Sequence, residues 1–408
     1  MNRWLFLWRQ LNRKLWVRAS LYAMLGVAVA IAAVIGRPLV PDEVAKRFGG
    51  DSVEAVLTIL ASSMLAVTTF SLGAMVTAYT AVSQAATPRV SSLVTGDPET
   101  QKALATFVGA FLYAIVGVTA INAGYYGAEG RAIIFVCSLG VVGLVAFRLL
   151  SWVNRLSRIA RVGHMIELVE DLTRAALTQQ MKIPPWPGEA KAFSRGLDIL
   201  SPATGYVQNI DRAHLQEAAA GLDCDITIQV EPGALVRQGE RLCRLSVADC
   251  DDPAIKQIRR AFAVGATRSF EQDPRFGLTV LGEVAARALS PGVNDPGTAV
   301  LVMATGLRLL DDWARLEAPP QPDERPRVCS LPAVEADLLD DLFGPPMRYG
   351  AGDLVVAVGL QKALRSLAAI EGDLGQAARA MADDALGRSV AVLTSRVDRA
   401  RLKAAARG

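Results

Sequence analysis

Two short loops in the second half of the chain gather the side chains best suited to binding or catalysis. Arg268, Gln272, Asp273 and Arg275 surround the run Gln272-Asp273-Pro274-Arg275-Phe276-Gly277, and Arg287, Ser290, Asn294 and Asp295 surround the run from Ala288 to Ala299. An aspartate in such company can serve as a base while an arginine holds an anion, so the paired loops are a candidate cytoplasmic site for a small anionic ligand. A structural role competes with this reading. Asp-Pro places an N-cap acceptor before a residue suited to the first helical position, and the same device occurs at Asp97-Pro98 and Asp252-Pro253. No nucleophile–base motif, metal-ligand spacing or phosphate-binding glycine loop accompanies the aspartates. No catalytic residue is therefore assigned, and an enzyme is the alternative with least support.

A second set of residues lies in an uncharged stretch. Ser62, Ala66, Thr69, Gly73, Thr77 and Thr80 recur every three or four residues, as one small, hydroxylated face of a helix. Such a face lets helices approach closely and offers hydroxyls for bonds between them. It can equally line a polar path if several subunits enclose one. No ionisable residue interrupts the interior of this stretch, which argues against proton-coupled transport.

Four apolar stretches hold this face in place: Ser20 to Gly36, Ala55 to Val82, Ala103 to Ala128 and Ala132 to Phe147. A bilayer core requires about 20 apolar residues per helical span. The two shorter stretches reach that length when Arg18, Arg37 and Arg148 extend their stems to the headgroups. A mean hydropathy of +0.29 with 20% charged residues fits a chain that is part membrane-embedded and part soluble. The net charge of +3 gives no reason to expect nucleic acid as a partner. Five scattered cysteines and two histidines indicate neither a disulfide framework nor a zinc site, so no cofactor is expected.

Cations set the orientation. Arg3, Arg9, Arg13, Lys14 and Arg18 precede the first stretch, Arg89 and Lys102 lie between the second and third, and Arg148, Arg155, Arg158 and Arg161 follow the fourth. The positive-inside rule makes these flanks cytoplasmic, which puts both termini on that side of a bacterial inner membrane. No cleavable signal peptide is expected. Residues 1–18 read as an interfacial amphipathic helix, with Trp4, Trp8, Leu11 and Leu15 on one face. Residues 19–153 form the four-helix transmembrane domain. The stripe Leu156, Ile159, Val162, Ile166, Val169, Leu172 and Ala176 predicts one connecting helix over 154–184, ended by Pro184-Pro185-Trp186-Pro187-Gly188.

Residues 185–250 read as a small β-rich unit. Gly205-Tyr206-Val207 leads into a strand, Ile226, Ile228 and Val230 alternate with polar residues, and Gly233 and Gly239 mark two turns. The arrangement resembles the barrel-sandwich hairpin of lipoyl- and biotin-carrier domains. The span from Ile199 to Ser246 contains no lysine to take such a cofactor, so a structural or docking role is expected instead. Residues 251–408 read as a helical domain. The fold class is thus membrane α-helical with four transmembrane helices, plus a cytoplasmic α+β region.

The polar second stretch running into Ser83-Gln84 and Pro88-Arg89, the Gly205 to Gly239 unit, the Gln272-Asp273-Pro274 loop and the Ala288 to Ala299 run together resemble a bacterial family of predicted inner-membrane proteins classed as a domain of unknown function. The resemblance implies topology and membership and transfers no activity. The expectation is an oligomeric channel- or transporter-like assembly in the lipid bilayer with a regulatory cytoplasmic domain. A scaffold or ligand sensor without a pore is the alternative, and a membrane-anchored enzyme ranks behind both.

Overall fold

A computed structural model describes residues 52–85, 87–90, 98–159, 161–181, 196–316, 327–330 and 335–407, with positions 20, 21, 24, 28, 29 and 32. The expected interfacial helix at 1–18 and the Pro-rich linker at 184–188 lie outside the described residues, as does most of the first apolar stretch. The chain divides into two compact units, Met1–His164 and Met165–Gly408.

Three helices of the first unit are long and apolar enough to cross a membrane: α1 (Ser52–Ala85), α2 (Pro98–Asn122) and α3 (Ala128–Ile159). Each carries a glutamate in its first turn (Glu54, Glu99 and Glu129), where the helix dipole favours negative charge. Their shared core joins Leu57, Leu60 and Met64 of α1 to Leu104, Phe107 and Ala114 of α2 and Ile134 and Trp152 of α3. Helices α1 and α2 approach closely at Gly117, where an added Cβ would stand 3.0 Å from Leu57 Cδ1. Between α2 and α3, the Tyr113 hydroxyl lies 3.0 Å from Ser138 Oγ and donates to the Ile134 carbonyl at 3.3 Å. Arg148 of α3 approaches Glu99 at 3.8 Å, so the end of the fourth apolar stretch is level with the start of α2.

The single connecting helix expected over 154–184 is divided. Helix α3 stops at Ile159 and α4 runs Val162–Met181. The Arg161 amide bonds to the Arg158 carbonyl, a tightened closing turn, and Gly163, a poor helix former, follows. Of the expected apolar stripe, Ile166, Val169 and Ala176 are buried and Leu156, Val162 and Leu172 half-buried, with Met165 and Leu177 buried beside it.

Two small sheets share one core in the second unit. In the first, β1 (Leu197–Leu200), β5 (Arg241–Leu245) and β3 (Ile226–Ile228) are antiparallel neighbours, and β7 (Val328–Ser330) pairs parallel to β3. In the second, β2 (Gly205–Ile210) lies between β4 (Leu235–Val236) and β6 (Phe262–Gly265). Ile199, Ile226, Leu242 and Leu245 from one sheet meet Val207, Val236 and Phe262 from the other. Strands β6 and β7 thus extend the β region beyond residue 250. Gly233 and Gly239 make the expected turns, both at positive φ. Helix α5 (Arg212–Gly221) is capped by Asp211, and α6 (Asp252–Arg260) links β5 to β6.

The remaining helices are α7 (Pro274–Ala288), α8 (Pro296–Ala314), α9 (Glu335–Tyr349), α10 (Leu354–Ala368), α11 (Asp373–Val392) and α12 (Arg396–Ala405). Asp273 and Asp295 cap α7 and α8 with proline in the first turn, as their sequences suggest. At α6 the cap is Asp251, one residue earlier than the Asp-Pro rule placed it, so Asp252 lies inside the first turn. Asp97 lies outside the described residues.

Candidate functional site

Helix α1 buries one side and leaves the small-residue face on the other. Val53, Leu57, Leu60, Met64, Ser71, Ala78 and Val82 are buried, whereas Ser62, Ala66, Thr69, Gly73, Thr77 and Thr80 are all exposed. At about 100° per residue the centres of these two sets lie about half a turn apart. The small face therefore does not mediate α1 packing within the unit among the described residues. A Cβ built at Gly73 would meet nothing within 4 Å.

The hydroxyls on this face are locally satisfied. Those of Ser62, Thr69, Thr77 and Thr80 donate to the carbonyls of Thr58, Leu65, Gly73 and Val76, at 2.9 to 3.1 Å. Within the described residues these hydroxyls thus bond along their own helix. Bonding back to the residue four earlier removes the cost of an unmet donor, while each oxygen keeps an accepting lone pair. Small size and the remaining oxygen lone pairs distinguish the face from the bulky Leu65, Phe70 and Val76 beside it, which are also exposed.

The first of the two loops is a closed charge network. Asp273 is buried and accepts from two of the three Arg268 side-chain nitrogens, Nε at 2.7 Å and Nη2 at 2.9 Å, while its Oδ1 also accepts the Phe276 amide at 3.0 Å. The Arg268 guanidinium lies 5.0 Å above the Phe276 ring. Gly233, at φ +90°, is tucked against the same carboxylate and has no room for a Cβ. Gln272 accepts the Ile210 amide at 2.8 Å and so ties the loop to the end of β2. Arg275 bridges Asp337 and Asp341 of α9, both at 2.7 Å. Burial alone would lower Arg275, but its hydrogen bond to Asp341 and the carboxylates of Asp341, Asp337 and Glu231 outweigh that and raise it above its ordinary value. Burial pushes the nearby Glu231 carboxyl upward despite the opposing charge of Arg275. Two of the three arginines offered as anion binders are thus already engaged by aspartates.

The second loop lies at the other end of α7, about 20 Å away along a 15-residue helix. The two loops therefore do not converge on one site. In this loop Ser290 Oγ donates to the Arg287 carbonyl, the Ser290 carbonyl accepts the Val293 and Asn294 amides, and Asn294 takes a positive φ of 48°. Asp295 caps α8 through the Thr298 amide at 3.1 Å and also holds the Thr298 hydroxyl at 2.6 Å. The Thr298 hydroxyl and amide hold its carboxyl below the usual aspartate range. Arg287 Nε is buried without a hydrogen-bond partner among the described residues.

A second network anchors α4 within this unit and was not foreseen from sequence. Buried Glu170 pairs with Arg308 of α8 at 2.8 Å and with Arg174 at 3.0 Å, and Arg174 also bonds Asp312. Thr173 faces Gly277 so closely that a Cβ there would overlap it. The signals were present as an i, i+4 Glu–Arg pair and a helical glycine, but their partners lie far away in sequence.

Three helices long and apolar enough to cross a membrane, followed by a sheet-containing region and a helical C-terminal part, are the architecture of a predicted membrane protein. The chain belongs to the family described as predicted membrane protein (DUF2254), which it matches over residues 12–366. It is 26% identical over 230 residues to the uncharacterized protein Mb1321c of Mycobacterium bovis and, at the same identity, to the uncharacterized proteins Rv1290c and MT1328 of Mycobacterium tuberculosis. Each match covers 51% of this chain and 42% of the relative, so the chain aligns with less than half the length of these proteins. No solved structure matches it.

Proposed function

We propose that this protein is an oligomeric, channel- or transporter-like assembly of the bacterial inner membrane, with four spans per subunit, both termini cytoplasmic, and a regulatory cytoplasmic domain without enzymatic turnover. The observation that carries the reading is the exposed small face of α1, turned away from the side by which α1 packs on its own unit. In a bilayer, small-residue faces gain from close approach of another helix and gain little from lipid. Copies of α1 brought together on this face would align rows of hydroxyl oxygens along a shared axis, where their free lone pairs can meet water or a solute.

The same arrangement with tightly closed helices would give an oligomeric scaffold or ligand sensor and no pore. The filled charge networks around Arg268 and Arg275 favour a structural over a ligand-binding role for the first loop, leaving Arg287 beside the second as the better candidate for an anion contact. Imaging of the detergent-solubilised protein tests the assembly. A symmetric ring with α1 nearest the axis supports the reading, and a monodisperse monomer at working concentration refutes it.

A further inference from the structure

We propose that the last helix, α12, is a docking surface for an anionic membrane leaflet, and that it holds the C-terminal end of the chain against the bilayer in which the protein sits. Helix α12 buries only Leu402 and, just past its end, Ala406, on the side packed against Leu393 and Leu354. The outer side is cationic. Arg396, Lys403 and Arg407 follow at i, i+7 and i+11, which places them on one stripe, and Arg401 flanks it from the other side. All four are exposed, and none has a carboxylate partner among the described residues. Ala400, Ala404 and Val397 lie between the stripe and Arg401, and all three are exposed.

Exposed apolar side chains stand on α12 and in the elements before it. Val397 is 68% exposed and Val392, at the end of α11, 56%. A Cβ built at Gly352 would stand 3.3 Å from Val392, and Tyr349 and Val355, three residues to either side of Gly352, are 65% and 60% exposed. Unpaired cations beside exposed apolar groups fit the interface of an anionic bilayer, where the charges meet headgroups and the apolar groups reach the acyl boundary. A nucleic acid would use the cations and leave the valines in water. Attachment of the chain to a membrane also raises the local concentration of this partner over any freely diffusing one. The inference rests on the membrane assignment and not on the pathway reading, so a monomeric, pore-free protein would leave it intact.

Amide hydrogen exchange of the full chain in vesicles tests it. Residues 396–405 are compared between phosphatidylcholine vesicles and vesicles that also contain phosphatidylglycerol. Each cation near an anionic surface is worth roughly fivefold in binding, so exchange in this segment should slow by about tenfold or more with phosphatidylglycerol. The effect should disappear at high salt and in the triple variant Arg396→Gln, Lys403→Gln, Arg407→Gln, while α10 exchanges as before. Equal exchange in the two lipids overturns the proposal, a comparison that needs no variant. Lipid-dependent slowing that survives high salt or the triple variant also overturns it. Slowing produced equally by a DNA oligonucleotide in phosphatidylcholine alone assigns the surface to nucleic acid instead.

Discussion

Replacing Asp273 by alanine should damage the C-terminal unit far more than the same change at Asp295, although both residues precede a proline and cap a helix. The cap alone is worth about 1 kcal/mol, and Asp295, on an exposed loop, loses little beyond that and its Thr298 contacts. Asp273 is 2% exposed and also neutralises Arg268, whose side chain is 23% exposed. Removing one partner of a buried ion pair costs about 3–5 kcal/mol. Partial exposure of Arg268 reduces that to about 2–3 kcal/mol. The expected totals are about 3–4 kcal/mol for Asp273→Ala and about 1 kcal/mol for Asp295→Ala. For a unit of this size they correspond to losses of about 10 °C and about 3 °C in melting temperature. Thermal unfolding of the purified full-length protein measures both. A double-mutant cycle with Arg268→Met should return a coupling of about 2 kcal/mol. Equal losses from the two aspartates, or a coupling near zero, would refute the view that the first loop is a charge network built for structure.

Glu231→Gln should stabilise the protein at neutral pH. Burial raises the folded-state pKa of Glu231 above its unfolded value, so the native state loses stability as pH rises through that interval and the neutral amide avoids the loss; a less stable Gln variant would mean that Arg275 holds Glu231 as a carboxylate. For Asp295 the sign is opposite: its folded pKa is depressed, so the stability gap between wild type and Asp295→Ala should be complete above the usual aspartate range and close as pH falls below it, and a gap constant with pH would be inconsistent. Gly73→Leu should leave the subunit fold unchanged, since nothing lies within 4 Å of its built Cβ, yet break the oligomer on size-exclusion chromatography; an intact oligomer would place the contact elsewhere. A periplasm-specific reporter should be silent after Arg161 or at Gly408 and active near Gly49, and activity at Gly408 would reverse the proposed orientation.

Local physics made much of this fold legible. Apolar length and flanking charge located the three described membrane-length helices, and Asp-Pro located the starts of α7 and α8 because cap and proline act within one turn. At Asp251-Asp252-Pro253 two adjacent acceptors compete, and the local rule picked the wrong one. The break at Ile159 was hidden because the apolar stripe continues through it. Long-range partners left no local trace. Arg275 reaches Asp341 across 66 residues, and Glu170 reaches Arg308 across 138. For that reason the two polar loops read as one site in sequence, although a helix separates them. The direction of the small face of α1 was equally hidden: spacing defines a face, but only packing shows which side of the helix is already covered.

Thiol accessibility on α1 tests the central claim most directly. In a cysteine-free background, Thr69→Cys and Thr77→Cys should react with a membrane-impermeant thiol reagent in intact membranes, while Leu139→Cys, exposed on α3 and expected to face lipid, should not. If all three positions stay unreactive, or if Leu139→Cys labels as fast as the threonine positions, the small face does not line a water-filled path.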